Sequence, residues 1–160
     1  MGVDASPAMI DLARERATRE VSGARVQFTV GDISSLDVAS SSVDVVTGGY
    51  ALRNVPDYER GIAEIARVLK PGGVMATLDF YRPKNSAWRA LFLWYLSVAG
   101  NWIGWLWHRE AVVYGYIARS IDHFVSWQDY SRTLARHGLE VDGVTTKLLG
   151  GVAIHFARRR

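Results

Sequence analysis

Apolar residues recur along the first half of the chain with two alternating periods, and each change of period marks a new element. Met9, Ile10, Ala13 and Ala17 fall on one helical face, with Asp11, Arg14, Glu15, Arg16 and Arg19 around the rest. Ser6 before Pro7 supplies the start: a hydroxyl accepts an orphan N–H, and Pro needs no donor at the first helical position. The spacing predicts an amphipathic helix ending near Gly23. Val26, Phe28 and Val30 then alternate with Gln27 and Thr29, a short strand that stops at Gly31-Asp32. After a polar connection over 34–42, the β-branched run Val43, Val45, Val46, Thr47 predicts a second strand entering Gly48-Gly49. Asp57 caps a helix carrying Ile62, Ile65, Ala66 and Leu69 at i, i+3, i+4 and i+7, closed by Lys70-Pro71-Gly72-Gly73. Residues 74–80 read as a strand buried on both faces of a parallel sheet, and Gly2-Val3 as the tail of an earlier one. Strand and helix in alternation predict an α/β layered sheet built from βαβ units.

The second half breaks this rhythm. Trp88, Trp94, Trp102, Trp105 and Trp107 lie among Leu91, Phe92, Leu93, Leu96 and Ile103, and residues 90–107 carry no formal charge. A helix apolar on all sides is either buried or in a membrane. Gly100-Asn101 and Gly104 weaken a continuous span, which leaves three readings: a cap buried over the sheet, a lid that grips an apolar tail or leans on a bilayer, and a true span. A helix over 126–137 closed by Gly138 and strands over 141–147 and 152–157 complete the chain. Without a linker or repeat, residues 1–160 read as one domain with a helical insertion over 87–125.

Composition narrows the classes. With 160 residues, 49% of them apolar, the chain fills one ordinary domain. The net charge of +3 equals the contribution of Arg158, Arg159 and Arg160, so the surplus sits in a tail and not on a nucleic-acid-binding face. The absence of Cys excludes disulfides, thiolate nucleophiles and Cys-ligated metals. His108, His123, His137 and His155 lack metal-ligand spacing, and no metal is assigned; His137 reads as a helix C-terminal residue and His123 as a weak proton acceptor. No secretory signal precedes Asp4, so the chain is expected in the cytoplasm.

Candidate chemistry lies after the strands, because open α/β sheets bind ligands beyond their carboxyl ends. Asp4 can accept both hydroxyl hydrogens of a ribose. Asp32 can accept from an exocyclic amine of a base, with Ile33 offering an apolar edge to the ring. Gly48 and Gly49, before Tyr50, leave room for a cofactor. Each Asp alone fits equally a solvated turn; three strand ends together favour a nucleoside cofactor.

The runs 2–9, Gly31-Asp32, 50–55 and 67–73 resemble successive motifs of class I S-adenosylmethionine methyltransferases. More narrowly, Leu52-Arg53-Asn54-Val55, Asp79-Phe80-Tyr81-Arg82-Pro83 and the segment from Tyr114 to Phe124 are similar to the ubiquinone/menaquinone-biosynthesis C-methyltransferase family. The resemblance implies a Rossmann-like sheet with helices on both faces and S-adenosyl-L-methionine as cofactor. Asp4 would lie on its ribose, Asp32 and Ile33 on its adenine, and Gly49 where many relatives have a small polar residue. Arg53, Asn54 and Tyr50 would stand near the methyl acceptor, a polyprenylated quinol precursor of naphthoquinol or benzoquinol type. No dedicated base is evident. The alternative for Arg53-Asn54 is a helix-entry turn with a surface ion pair.

The family has a first strand and a glycine-rich loop before the position of Asp4. Their lack implies an N-terminally truncated sheet, a fragment of the full enzyme, with unpaired backbone at a buried edge in the middle of the strand order. Two other classes compete: a non-catalytic remnant serving as a binding or membrane-surface module at the inner face of the membrane, and a nicotinamide-dependent oxidoreductase, since Asp4 suits that ribose too.

Overall fold

The structure is a computed structural model; it describes residues 1–20, 26–108 and 112–160, with side chains outside 99–115. The helix end near Gly23 and the side chains of Trp102, Trp105, Trp107, His108 and Tyr114 fall outside it. The order is β1 (Gly2–Asp4), α1 (Pro7–Glu20), β2 (Phe28–Val30), β3 (Val43–Gly49), a 3-10 turn (Leu52–Asn54), α2 (Tyr58–Val68), β4 (Leu69–Phe80), α3 (Ser86–His108), α4 (Val112–His123), α5 (Trp127–Arg136), β5 (Leu139–Lys147), a second tight turn (Leu148–Gly150) and β6 (Val152–Arg159).

Strands form two sheets, β1-β2 and β3-β4-β6-β5. β1 and β2 run parallel, as do β3 and β4, whereas β6 is antiparallel to both β4 and β5. The core forms where α2 and α5 pack on the larger sheet, around Ile62, Ile65, Leu69, Met75, Tyr81, Tyr130 and Leu134. Caps follow local chemistry: Asp57 Oδ1 accepts from Arg60 N at 3.0 Å, and Ser126 Oγ from Asp129 N at 3.2 Å. Gly138, at φ +77°, closes α5.

Three expectations are corrected. α2 ends at Val68, and Leu69 already pairs with Val43; residues 70–73 then bulge before Val74 pairs with Val45. A Cβ on Gly73 would lie 2.9 Å from the Lys70 carbonyl oxygen, which is why the bulge needs glycine there. β4 is not buried on both faces: Met75, Thr77 and Asp79 are buried, while Val74, Ala76, Leu78 and Phe80 are half-buried. Helices α2 and α5 cover only the first side. The edge expected to be buried is exposed: β1 and β3 belong to separate sheets, with Val3 38% and Val45 59% exposed.

The smaller sheet is tethered by the connection that follows β2. Arg67 donates from Nη1 to the Val38 carbonyl (2.8 Å), from Nη2 to the Leu36 carbonyl (3.0 Å) and from Nε to Glu64 Oε1 (2.8 Å). Glu64 Oε2 accepts from Leu36 N at 2.9 Å. These hydrogen bonds, Arg67's first, hold the Glu64 carboxyl below its ordinary value.

Candidate active site

The strands form two separate sheets, β1-β2 and β3-β4-β6-β5. Open α/β sheets bind ligands beyond the carboxyl ends of their strands. Asp4 and Asp32 stand at the ends of β1 and β2. Each uses Oδ1 in a local turn, accepting from Ser6 N at 2.8 Å and from Ser34 N at 2.7 Å. This is the solvated-turn arrangement, and it leaves Oδ2 of both carboxylates available. Among the described residues no hydrogen bond joins either Asp to the residues around Arg53. Ile33 turns inward, packing beside Gly61 and lining a cavity of about 40 Å³ with Gly48, Leu52, Thr77 and Asp79. That space is too small for a nucleoside. Gly49 differs: a Cβ there meets nothing within 4 Å, so open space lies over the end of β3. The donor set and this space fit a nucleoside cofactor, with Asp4 and Asp32 as acceptors.

Tyr50, Arg53 and Asn54 come together. Tyr50 takes a left-handed backbone at φ +56° while its N–H donates to the Leu78 carbonyl at 2.8 Å, which turns the chain sharply off β3. The following 3-10 turn aims Arg53 back over the end of β4. Its Nη1 donates to Asp79 Oδ1 at 2.8 Å, its backbone N to Asp79 Oδ2 at 3.2 Å and its Nε to Ser120 Oγ at 3.2 Å. The guanidinium carbon lies 5.5 Å from the Tyr50 ring centroid and 5.4 Å from that of Phe80, within cation–π range. The side chains of Arg53 and Asp79 are only 7% and 4% exposed, so the surface ion pair weighed from sequence is instead a buried one. Nη2 has no hydrogen-bond partner among the described residues. Burial pushes the Asp79 carboxyl above its ordinary value, against the pull of Arg53.

Asn54 donates from Nδ2 to the Tyr50 carbonyl at 3.1 Å, and its Oδ1 accepts from the Tyr116 hydroxyl at 2.8 Å. With Ser120, this gives α4 two hydrogen bonds to the Arg53-Asn54 turn. Asp79, Tyr116 and Ser120 were not singled out as site residues from sequence. The available signal for Asp79 was an acid in the last turn of an apolar strand, whose only obvious use is pairing with a buried cation. His123 lies exposed, its Nδ1 2.8 Å from the Arg119 carbonyl oxygen, with no hydrogen bond to this cluster among the described residues.

Parallel strands joined by helices, with β6 antiparallel to its neighbours, give the fold of class I S-adenosylmethionine methyltransferases. Solved structures with this fold include the [4+2]-cyclase SpnF (TM-score 0.72, 16% identity, covering 99% of this chain and 64% of that one). Geranyl diphosphate methyltransferase in complex with S-adenosylmethionine superposes with a TM-score of 0.68 at 16% identity, covering 99% and 68%. That a cyclase shares the fold means that fold alone does not set the reaction. The chain belongs to the ubiE/COQ5 methyltransferase family, which it matches over residues 1–159. It is 31% identical over 159 residues to a demethylmenaquinone methyltransferase of Desulfitobacterium hafniense, covering 99% of this chain and 62% of that protein. A 2-phytyl-1,4-naphtoquinone methyltransferase of Trichormus variabilis is 36% identical over 124 residues, covering 77% and 53%. The chain thus spans between about half and two thirds of the length of these relatives. The family and the α/β fold expected from sequence are both borne out.

Proposed function

We propose that this site serves methyl transfer from S-adenosyl-L-methionine to a ring carbon of a polyprenylated quinol, of the demethylmenaquinol type named for the Desulfitobacterium relative. The observation that carries the reading is the buried side chain of Arg53, held by Asp79 and Ser120 beside the Tyr50 and Phe80 rings, with Nη2 lacking a hydrogen-bond partner among the described residues. The cofactor, when bound, supplies an electrophilic methyl group on a sulfonium. Asp4 and Asp32 offer Oδ2 to the ribose hydroxyls and the adenine amine, and the space over Gly49 admits the cofactor beside β3. Loss of a ring-hydroxyl proton makes the ortho carbon nucleophilic, and Arg53 Nη2 stabilises the resulting phenolate in a site of low dielectric. Asn54 and Tyr50 orient the ring oxygens, so that the residues contribute chiefly position and charge.

Helices α3 and α4 act as a lid over 87–125, and the Trp-rich segment places the site against the lipid in which a prenylated substrate resides. Among the described residues no helix is long and apolar enough to cross a membrane.

The test is transfer of labelled methyl from S-adenosylmethionine to detergent-solubilised demethylmenaquinol, alongside calorimetric binding of S-adenosylmethionine. Transfer is expected, with loss in Arg53→Lys at unchanged melting temperature. Binding without transfer to any prenylated quinol would favour the second reading, a non-catalytic binding module. Neither binding nor transfer would sink both.

A further inference from the structure

Along α3, Leu91, Trp94, Tyr95 and Val98 recur at i, i+3, i+4 and i+7 and are all exposed, Trp94 by 62%. A stripe of this width is what a helix presents to an apolar phase. The turn between β5 and β6 lies alongside, since the Trp88 indole N–H donates to the Leu148 carbonyl at 3.0 Å and Phe92 closes on Gly151. Leu148 and Leu149 both adopt left-handed backbone at φ +50°. Left-handed backbone is disfavoured for a Leu, yet Leu149 adopts it while projecting a side chain that is 78% exposed. Strain kept at an exposed apolar tip points to a role outside the fold's own stability.

Register places this surface. Phe80, the last residue of β4, pairs with Val152, and Lys147 pairs with the same residue from β5. The Leu148–Gly150 turn therefore lies at the end of the sheet where β4 delivers Asp79 and Phe80 to the Arg53 cluster. Charge is one-sided as well: residues 80–109 and 143–157 contain no Asp or Glu, while Lys147 immediately precedes the Leu148-Leu149 tip. Lys147 makes no ion pair among the described residues.

We infer that the α3 stripe and the Leu148-Leu149 tip form one docking surface for an anionic bilayer, seated beside the mouth of the site. The inference rests on the reading of a lipid-borne substrate for its purpose, but not for its test. Binding of the 160-residue chain to vesicles is measured by sedimentation, using phosphatidylcholine alone and phosphatidylcholine mixed with phosphatidylglycerol. The mixed vesicles should bind more tightly. Trp94→Glu and Leu149→Asp should each weaken binding about tenfold, the scale of one apolar side chain withdrawn from lipid. Lys147→Glu should cost about fivefold on the mixed vesicles and nothing on the neutral ones. Leu149→Asp is compatible with folding, because Asp tolerates left-handed backbone better than Leu; circular dichroism checks each variant.

Failure of the parent chain to sediment would overturn the proposal. So would an equal loss in Val45→Lys, which lies on the open strand edge, or a stable dimer dissolved by Trp94→Glu without vesicle binding. Methyl transfer is assayed in detergent, so absence of transfer with vesicle binding intact sinks only the catalytic reading, and the converse only the docking surface.

Discussion

His155 should act as an acid fuse in the core. It is fully buried on β6, with the Tyr81 hydroxyl 3.3 Å from Nδ1 and both Ser131 Oγ (3.0 Å) and the Trp127 carbonyl oxygen (3.2 Å) at Nε2. The carbonyl can only accept, so Nε2 carries the proton and Nδ1 accepts from Tyr81: a neutral ring, fully used. Burial holds the imidazole down at about 4, from an ordinary 6.5. The unfolded chain therefore binds the extra proton first, and stability that is complete above pH 6.5 drains away as the pH falls toward 4. At 1.36 kcal/mol per unit the loss is about 1.4 kcal/mol by pH 5.5 and about 3 kcal/mol by pH 4, a large share of the roughly 5–15 kcal/mol typical of a domain. Asp79 contributes with the opposite sign: its carboxyl is raised by burial, so its share declines as the pH rises above the ordinary carboxylate value. Urea unfolding from pH 7.5 to 4 on the parent and on His155→Gln isolates the imidazole, since every other group cancels in the difference. The variant pays a constant penalty for the disrupted network, but its curve should be flatter between pH 6.5 and 4 by about 3 kcal/mol. Parallel curves would refute the reasoning, as would an imidazole NMR titration of His155 near 6.5.

Two further outcomes follow from the ion pairs. Asp79→Asn leaves the Arg53 charge buried without its counter-ion and should destabilise by about 3–5 kcal/mol, a melting temperature lowered by roughly 6–20 °C; a change under about 1 kcal/mol would mean that water reaches the pair. Arg67→Ala releases the 31–42 connection from α2, so hydrogen exchange should quicken selectively in β1 and β2 while β4 and β6 keep their protection; a uniform loss would show that the tether is part of the global core.

Local signals were legible where one residue type answers one local need. Asp57, Ser126 and Gly138 mark helix ends because a capping oxygen and a left-handed glycine act within three or four residues. The strand ends, with Asp4, Asp32, Gly49 and Arg53-Asn54, were legible because α/β sheets place their chemistry there. Asp79 was hidden because its partner lies 26 residues away, and within an apolar strand it shows no period of its own. His155 was hidden likewise: alternation along β6 puts it inside, but nothing local says that Tyr81 and Ser131 will meet it there. The half-covered face of β4 was misjudged because apolar strand residues report the capacity for burial, not whether a helix arrives to provide it.

The division of the sheet sets what each part of the site can do alone. The Arg53 cluster is built at the ends of β3 and β4 and on α4: Arg53 pairs with the buried Asp79 and donates to the half-buried Ser120, beside the Tyr50 and Phe80 rings. Its geometry does not depend on the smaller sheet. Asp4 and Asp32 stand on two strands of three residues each, joined to the rest chiefly through the connection that Arg67 and Glu64 pin to α2. On the proposed reading, the groups for the acceptor are set by long-range contacts to Asp79, Ser120 and Tyr116, whereas those for the cofactor are set by local turns, Asp4 accepting from Ser6 N and Asp32 from Ser34 N.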